Sequence, residues 1–140
     1  MICTLVGICT GIGGFTFVYA KGFSYLSNNP KACANCHVMQ QEFDGWQRSI
    51  HHAVAVCADC HMPHDFVGKY FTKAVNGYLH SKAFTLQDYP YPIHMRDISK
   101  RILNRACIDC HGEMASAITT YTTAADETEL CTRCHSGVGH

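Results

Sequence analysis

Four short cysteine–histidine units constrain this chain more than any other feature. Eight of its ten cysteines fall in Cys-x-x-Cys pairs, and a histidine follows each pair at once. The units are Cys33/Cys36/His37, Cys57/Cys60/His61, Cys107/Cys110/His111 and Cys131/Cys134/His135. Histidine makes up 10 of 140 residues. Four such placements therefore have chance odds of roughly one in forty thousand, and Cys-x-x-Cys-His is the signature of c-type haem attachment.

Paired cysteines also occur in zinc ribbons and in disulfide frameworks. Zinc sites do not need a histidine after every pair, and disulfides need none at all. In c-type attachment the two thiols add to the porphyrin vinyl groups, and the adjacent imidazole can reach the iron. The spacing therefore favours four covalently bound haem c groups over zinc or disulfides.

Four haems in so short a chain decide the expected fold. Beyond the first segment there are only about 30 residues per haem, too few for a conventional apolar core. We expect a mostly α-helical protein with little regular structure, in which the porphyrins form the core. The predicted units are an anchor at residues 1–22 and a tetrahaem domain at 23–140.

The spacing of the motifs indicates an internal repeat. Cys33 and Cys57 are 24 residues apart, and so are Cys107 and Cys131. Equal spacing suggests duplication and a similar haem-pair geometry in each half. We therefore predict two di-haem halves, at about 33–61 and 107–140. Their closely spaced haems would transfer electrons from one to the next.

The first twenty residues carry no charge. As a helix they would span about 30 Å, the thickness of a bilayer core. A cleaved signal peptide would instead show a basic start and a small-x-small cleavage site, so a retained transmembrane anchor fits better. Gly7 and Gly11 form a Gly-x-x-x-Gly step that would allow self-association of this helix. Since bacterial haem attachment takes place outside the cytoplasmic membrane, the expected location is the inner membrane with the haem domain in the periplasm.

An amphipathic helix is predicted between the two halves, at about residues 65–84. Apolar side chains recur at i, i+1, i+4 and i+5 from Phe66 to Leu79, and Asp65 is a suitable N-cap. A polar stripe of Lys69, Lys73, Asn76 and His80 lies on the other side. Either the helix packs on a haem with its lysines solvated, or its aromatic face lies at the membrane interface.

The four motifs do not provide enough axial ligands for four haems. Four low-spin haems use eight axial ligands, and the motif histidines supply at most four. His51 and His52 lie close enough before Cys57 to fold back over a haem, and His140 ends a flexible glycine-containing tail. His64 follows His61 too closely to reach the far face of the same haem. The formal net charge is zero. The chain therefore has no excess of basic residues that would indicate nucleic-acid binding.

Several segments together resemble the NapC/NirT family of membrane-anchored tetrahaem quinol dehydrogenases. They are "SYLSNNPKACANCHVM", "WQRSIHHA", "CADCHMPH", "KYFTKAVNGYLHSKAFTL" and "CTRCHSGVGH". The likeness runs from the anchor to the last residue. Members that serve the ammonia-forming cytochrome c nitrite reductase are the most similar. The resemblance implies oxidation of menaquinol and electron transfer to the catalytic subunit of such a reductase.

The resemblance also implies an unusual first haem. Spacing alone favours His37 as its ligand, whereas in the family the methionine, here Met39, binds the iron. A thioether favours ferrous iron and raises the potential, which suits an acceptor of quinol electrons. Lys73 matches the family lysine of the quinol site. Seven residues later, where some members have aspartate, this chain has His80, which could take a proton or ligate the first haem.

For the other haems the resemblance implies His61, His111 and His135 as proximal ligands. It implies His51 and His140 as distal ligands of the last two haems. The second haem then lacks a distal ligand in the chain, and a lysine of the partner is expected to fill that place.

Two classes of function stay open at this point. One is a quinol dehydrogenase that feeds a multihaem reductase. The other is an electron shuttle or scaffold cytochrome without a quinol site, serving an octahaem enzyme or a nitrate reductase branch. The anchor, Met39 and the face with Lys73 and His80 favour the first.

Overall fold

The structure is a computed structural model that describes residues 1–119 and 131–140. Part of the second predicted half, residues 120–130, therefore lies outside the described residues. The helices are α1 (Ile2–Tyr19), α2 (Pro30–Cys33), α3 (Gln40–Arg48), α4 (Cys57–His61), α5 (Phe66–Leu86) and α6 (Asp97–Thr119). Short 3₁₀ turns occupy Gly22–Leu26, His37–Met39, Ile50–Ala53 and Cys131–Arg133. The described residues contain no strand, which confirms the predicted mostly α-helical class.

Helix α1 has the properties expected of an anchor. It has 18 residues with a mean hydropathy of 1.7, and none of them is buried. In the described part of the chain it is the one helix long and apolar enough to cross a membrane, by length and composition. Side chains added at Gly7 or Gly11 would meet no atom within 4 Å. This step is therefore open to another helix.

A tight connection joins the anchor to the rest of the protein. Lys21 adopts a left-handed conformation with φ of 53°. A Cβ atom at Gly22 would overlap the ring of Phe17, and that ring packs edge-on against Phe23 at 4.9 Å. The glycine thus lets the 3₁₀ turn Gly22–Leu26 fold back directly after the membrane helix.

Helix α5 begins where the sequence predicts. Asp65 is its N-cap and accepts a 2.6 Å hydrogen bond from the Gly68 backbone N–H. The helix ends at Leu86, two residues beyond the predicted bound, and Gln87 follows with φ of 54°.

The buried side of α5 is polar. Lys73 and Asn76 are its buried residues, only 4% and 8% exposed, whereas Phe66, Val67 and Phe71 are about 70% exposed or more (75%, 76% and 69%). The alternative in which the lysines of this helix are solvated is therefore wrong for Lys73. The exposed aromatic face is the side that the membrane-interface alternative requires.

The two halves meet where α4 packs on α6. Ala58 of α4 and Ala106 of α6 are the buried apolar residues of the described chain. Each stands next to a motif cysteine in the sequence, so the second and third motifs lie next to the contact between α4 and α6. Helix α6 carries the third motif and kinks at His111, where φ is −110° and ψ is 16°.

Candidate functional site

The first cysteines of the motifs come together in corresponding pairs. The thiol of Cys33 lies beside that of Cys57, and the thiol of Cys107 lies beside that of Cys131. These are the two pairs separated by 24 residues in sequence. All ten cysteines are free, so the structure gives no support to a disulfide framework. Among the described residues no group of three or more His, Cys, Asp or Glu side chains could hold a metal ion by itself, as a zinc ribbon would require.

The second cysteines of the motifs are less enclosed than attachment to a haem core would lead one to expect. Three of them are exposed, namely Cys36, Cys110 and Cys134. Their counterpart in the second motif, Cys60, is half-buried. Burial, followed by the charges of Asp59 and Cys110, raises the pKa of the Cys60 thiol.

The exposure of Cys36, Cys110 and Cys134 disagrees with a position inside a packed core, and it has a physical reason. In the described residues, peptide packing buries apolar side chains only at Ala58 and Ala106, where α4 meets α6. A macrocycle that bridges both thiols of a motif would itself supply the missing cover. Thioether attachment at these three cysteines therefore stays a prediction, which the structure does not test.

The packing fits a protein whose core is porphyrin. In the described part of the chain the buried apolar residues are two alanines, and no large side chain is fully buried. A chain of this size normally buries leucine, isoleucine or phenylalanine. Covalently attached macrocycles next to the eight motif cysteines would supply the missing apolar surface.

Two histidine pairs have the separation expected across a metal ion. The ring centroids of His51 and His111 are 6.2 Å apart, and those of His61 and His140 are 5.9 Å apart with rings inclined by 16°. An imidazole nitrogen binds a metal at about 2.0–2.1 Å, so two trans imidazoles have centroids about 6 Å apart. Both pairs join a motif histidine to a histidine predicted as a distal ligand.

Hydrogen bonds orient the two distal rings for this role. Nδ1 of His51 donates to the Val138 carbonyl at 2.9 Å. Nδ1 of His140 lies 2.6 Å from the Glu42 carboxylate. With Nδ1–H engaged, Nε2 would be left free to bind a metal ion. Burial, with the neighbouring His140, lowers the pKa of His61 and keeps it in the neutral form that binds metals.

This pairing bears on the distal ligand of the second haem. His140 lies against His61, the motif histidine of Cys57 and Cys60, and so offers a distal ligand within the chain. Within residues 1–119 and 131–140 the structure shows no histidine ring stacked on His135. A lysine of the partner at the second haem stays a prediction, which the structure does not test.

Other histidines are engaged elsewhere. Both nitrogens of His64 have partners: Nε2 bonds to the Asp59 carbonyl at 2.9 Å, and Nδ1 lies 3.3 Å from Asp109. His52 packs its ring against Trp46 at 4.7 Å. In the first motif, Met39 is half-buried and His37 is exposed. The choice of Met39 as iron ligand stays a prediction.

Lys73 occupies a different environment from the one its sequence pattern suggests. Its Nζ donates three hydrogen bonds, to the Leu26 carbonyl at 3.0 Å, the Ser27 carbonyl at 2.8 Å and the Asn28 side chain at 2.9 Å. Burial, followed by the charge of Lys69, lowers its pKa. Lys73 thus ties α5 to the segment that leaves the anchor. A quinol oxygen would have to replace one of these three acceptors.

His80 lies further along the same helix and contacts that segment as well. The Tyr25 hydroxyl and His80 Nδ1 share a 2.8 Å hydrogen bond. Desolvation, with a contribution from Arg96, lowers the pKa of His80, while burial raises the pKa of Tyr25 to about 12. Both groups are therefore uncharged at neutral pH.

Sequence reasoning missed Tyr25 and Glu42 as site residues. Each acts through a partner far along the chain, and no local pattern marks them. Asn76 was noted only as part of a stripe, yet it is buried and accepts a 2.5 Å hydrogen bond from Arg96. The polar residues of α5 could be identified from the sequence, but the sequence did not show that they are buried.

Comparison with known proteins identifies a family that matches this chain. All 140 residues, 1–140, match the NapC/NirT cytochrome c family, N-terminal region. The cytochrome c-type protein NrfH of Wolinella succinogenes is 36% identical over 98% of this chain and 84% of its own length. The cytochrome c-type protein NapC of Escherichia coli K12 is 26% identical over 97% and 79%.

A solved structure is similar as well. One chain in the crystal structure of a cytochrome c nitrite reductase NrfHA complex bound to the HQNO inhibitor superposes with a TM-score of 0.67. It is 26% identical, and the match covers 97% of this chain and 88% of that one. A helical, haem-cored cytochrome with an apolar N-terminal helix is the class that fold and site define. This chain belongs to the NapC/NirT cytochrome c family.

Proposed function

We propose that this protein is a membrane-anchored quinol dehydrogenase. It oxidises menaquinol and delivers electrons through four c-type haems to a multihaem partner, the ammonia-forming cytochrome c nitrite reductase. The NrfH relative and the similarity to a chain of a nitrite reductase complex with a bound inhibitor support this assignment. The anchor lies in the inner membrane and the haem domain in the periplasm.

One observation carries the proposal. The segment that leaves the anchor brings polar, proton-handling groups together beside the first motif. Tyr25 contacts His80, and the end of the same 3₁₀ turn is held by Lys73. The pKa values of Tyr25 and Lys73 both respond to Cys33, one of the first attachment cysteines. These groups contact the segment that follows α1, so a quinol that leaves the bilayer along this helix would reach them.

The residues of the proposed quinol site have different roles. A quinol must lose two protons while its electrons leave singly, so proton acceptors are needed at the entry point. Neutral His80 accepts the first proton, passes it to solvent and then accepts the second, because its ring is exposed, and its bond to Tyr25 orients the ring. Lys73 binds the quinol oxygen in place of one of its present acceptors. When bound, the haems supply one-electron acceptors in series.

The proposed iron ligands follow from the geometry and the family. Met39 serves the first haem, His61 with His140 the second, and His51 with His111 the third. His135 serves the fourth. The partner's lysine, expected at the second haem, is proposed to bind at the fourth, because His61 already faces His140. Self-association of the anchor helix through Gly7 and Gly11 is also proposed. This part of the proposal is supported only by the open surface at the two glycines.

Two substitutions test the quinol site. His80→Leu and Lys73→Leu should each slow reduction of the haems by a menaquinol analogue by tenfold or more, an effect on the order of 1.4 kcal/mol in the barrier. Reduction by dithionite, which needs no proton acceptor, should be unchanged. His94→Leu and Lys82→Leu are matched controls, because these residues are exposed and lie outside the contacts with the anchor segment.

The same experiment separates the two classes of function. If both site variants oxidise the quinol at the wild-type rate, the chain is an electron shuttle or scaffold and the contacts of Lys73 and His80 are structural. Copurification from the native membrane identifies the partner. Recovery of an octahaem enzyme or a nitrate reductase, in place of nitrite reductase, would overturn the partner assignment alone.

A further inference from the structure

The C-terminal residue is seated on α3 in a way that requires a glycine. A Cβ atom at Gly45 would lie 2.8 Å from the Cβ, 3.0 Å from the Cα and 3.2 Å from the carbonyl carbon of His140. Real Cβ atoms essentially never come closer than 3.0 Å to such an atom. Gly45 therefore makes room for His140, and any larger residue would push His140 away.

One turn earlier on the same face of α3, Glu42 holds the ring. Residues three apart in a helix are neighbours on its surface. The Glu42 carboxylate lies 2.6 Å from Nδ1 of His140, and the centroid of the ring lies 5.9 Å from that of His61. Backbone contact at Gly45 and side-chain contact at Glu42 together determine both the position and the rotation of the imidazole.

The second distal histidine is held differently. Nδ1 of His51 donates to a neutral backbone carbonyl, that of Val138. The two histidine pairs are otherwise alike in ring separation. A carboxylate partner raises the basicity of a ligating imidazole more than a neutral carbonyl does, and a more basic ligand stabilises ferric iron.

We propose that Glu42 and Gly45 form a cradle that positions His140 on the haem attached to Cys57 and Cys60 and sets that haem below the His51/His111 haem in potential. Glu42 and Gly45 are positioning residues, since neither would touch the iron. The cradle rests on the proposed pairing of His61 with His140. Because α3 begins immediately after Met39, the same helix links the first haem's predicted ligand to the second haem's.

The test uses the full-length protein with its four haems, in detergent, and spectroscopic readouts. Glu42→Gln keeps the side-chain shape but removes the negative charge. One haem should stay low-spin and shift to a more positive potential, by about 59 mV if the ferric preference falls tenfold. Asp44→Asn is the matched control. Its carboxylate on the same helix bonds Gln40, not His140, and its redox titration should match the wild type.

Gly45→Ala tests the close contact between α3 and His140. It should displace His140, so that one haem loses its low-spin electron paramagnetic resonance signal and gains a high-spin one. Gly137→Ala is the control, because a Cβ there meets nothing within 4 Å, and its spectrum should be unchanged. Wild-type potentials in Glu42→Gln, or four wild-type spectra in Gly45→Ala, would overturn the cradle.

A third variant separates the cradle from the pairing. His140→Ala should convert one haem to high spin while the remaining low-spin signals persist. If His140→Ala leaves every signal unchanged, His140 is not an iron ligand and both the pairing and the cradle fall. If His140→Ala acts and Glu42→Gln does not, the pairing stands and the cradle alone is refuted.

Discussion

Individual histidines in this protein are distinguished by what their second nitrogen contacts. His51 and His140 each have Nδ1 engaged by an acceptor and Nε2 left over. His64 has both nitrogens engaged, by the Asp59 carbonyl and by Asp109. Since a metal ligand needs one free nitrogen lone pair, the hydrogen bonds separate candidate ligands from structural histidines.

The first haem offers a residue-scale prediction. Met39→His should lower its potential, because imidazole supports ferric iron better than a thioether does. Quinol oxidation should slow, while the other three haems keep their spectra. A redox titration that matches the wild type would show that Met39 is not the ligand.

The pKa of His80 makes a second prediction. Because desolvation lowers this pKa, His80 stays unprotonated at a lower pH than a free histidine, whose pKa is about 6.5. The quinol oxidation rate should therefore hold steady as pH falls to about 6.5 and decline only below it. His80→Leu should be slow at every pH and lack this acid limb. An acid limb centred above about pH 6.5 in the wild type would contradict His80 as the base.

At the scale of elements, α5 organises the entry region by turning its polar residues inward. Lys73 binds the carbonyl end of the Gly22–Leu26 turn, and Asn76 accepts a hydrogen bond from Arg96 near the start of α6. The aromatic residues are left on the outer face. A buried cation is tolerated here because all three of its donors have acceptors.

The cap of α5 gives a prediction about stability. Asp65→Ala removes the acceptor of the Gly68 N–H and should lower the free energy of unfolding by about 1 kcal/mol. Thermal unfolding followed by circular dichroism measures the loss. Asp88→Ala, beyond the other end of the helix, should change stability by less than about 0.5 kcal/mol. Equal effects of the two variants would mean that the cap does not matter.

The whole molecule is held together by few contacts between chain segments. The described residues bury two alanines as their apolar core, and the halves meet through α4 and α6. Such a chain cannot offset its conformational entropy by peptide packing alone. Haem attachment should therefore be a condition of folding, as well as of electron transfer.

The number of haems is testable directly. Four covalent haems should remain on the denatured chain, because attachment is through thioethers at the eight motif cysteines. Intact-mass spectrometry measures this, and peptide mapping should find haem on the exposed Cys36, Cys110 and Cys134 but not on Cys3 and Cys9. A mature protein with fewer than four haems would contradict the tetrahaem assignment.

Local and periodic features were accessible from the amino-acid sequence. The Cys-x-x-Cys-His units, the apolar run of α1 and the Asp65 cap of α5 depend on residues within a few positions of one another. The equal 24-residue spacing predicted a similar arrangement in the two halves, and in the structure Cys33 lies beside Cys57 and Cys107 beside Cys131. Motif spacing, helix capping and the length of an apolar helix depend on near neighbours, so pattern is sufficient to predict them.

Long-range pairing was decided by the tertiary structure. Tyr25 meets His80 across 55 residues, and His51 reaches the Val138 carbonyl across 87. The polar stripe of α5 was visible in sequence, but periodicity does not say which side of a helix faces inward when both the bilayer and porphyrin offer apolar surroundings. Gly45 leaves room for His140, and the Glu42 carboxylate contacts its ring. Those are matters of steric fit and charge between segments that only folding brings together.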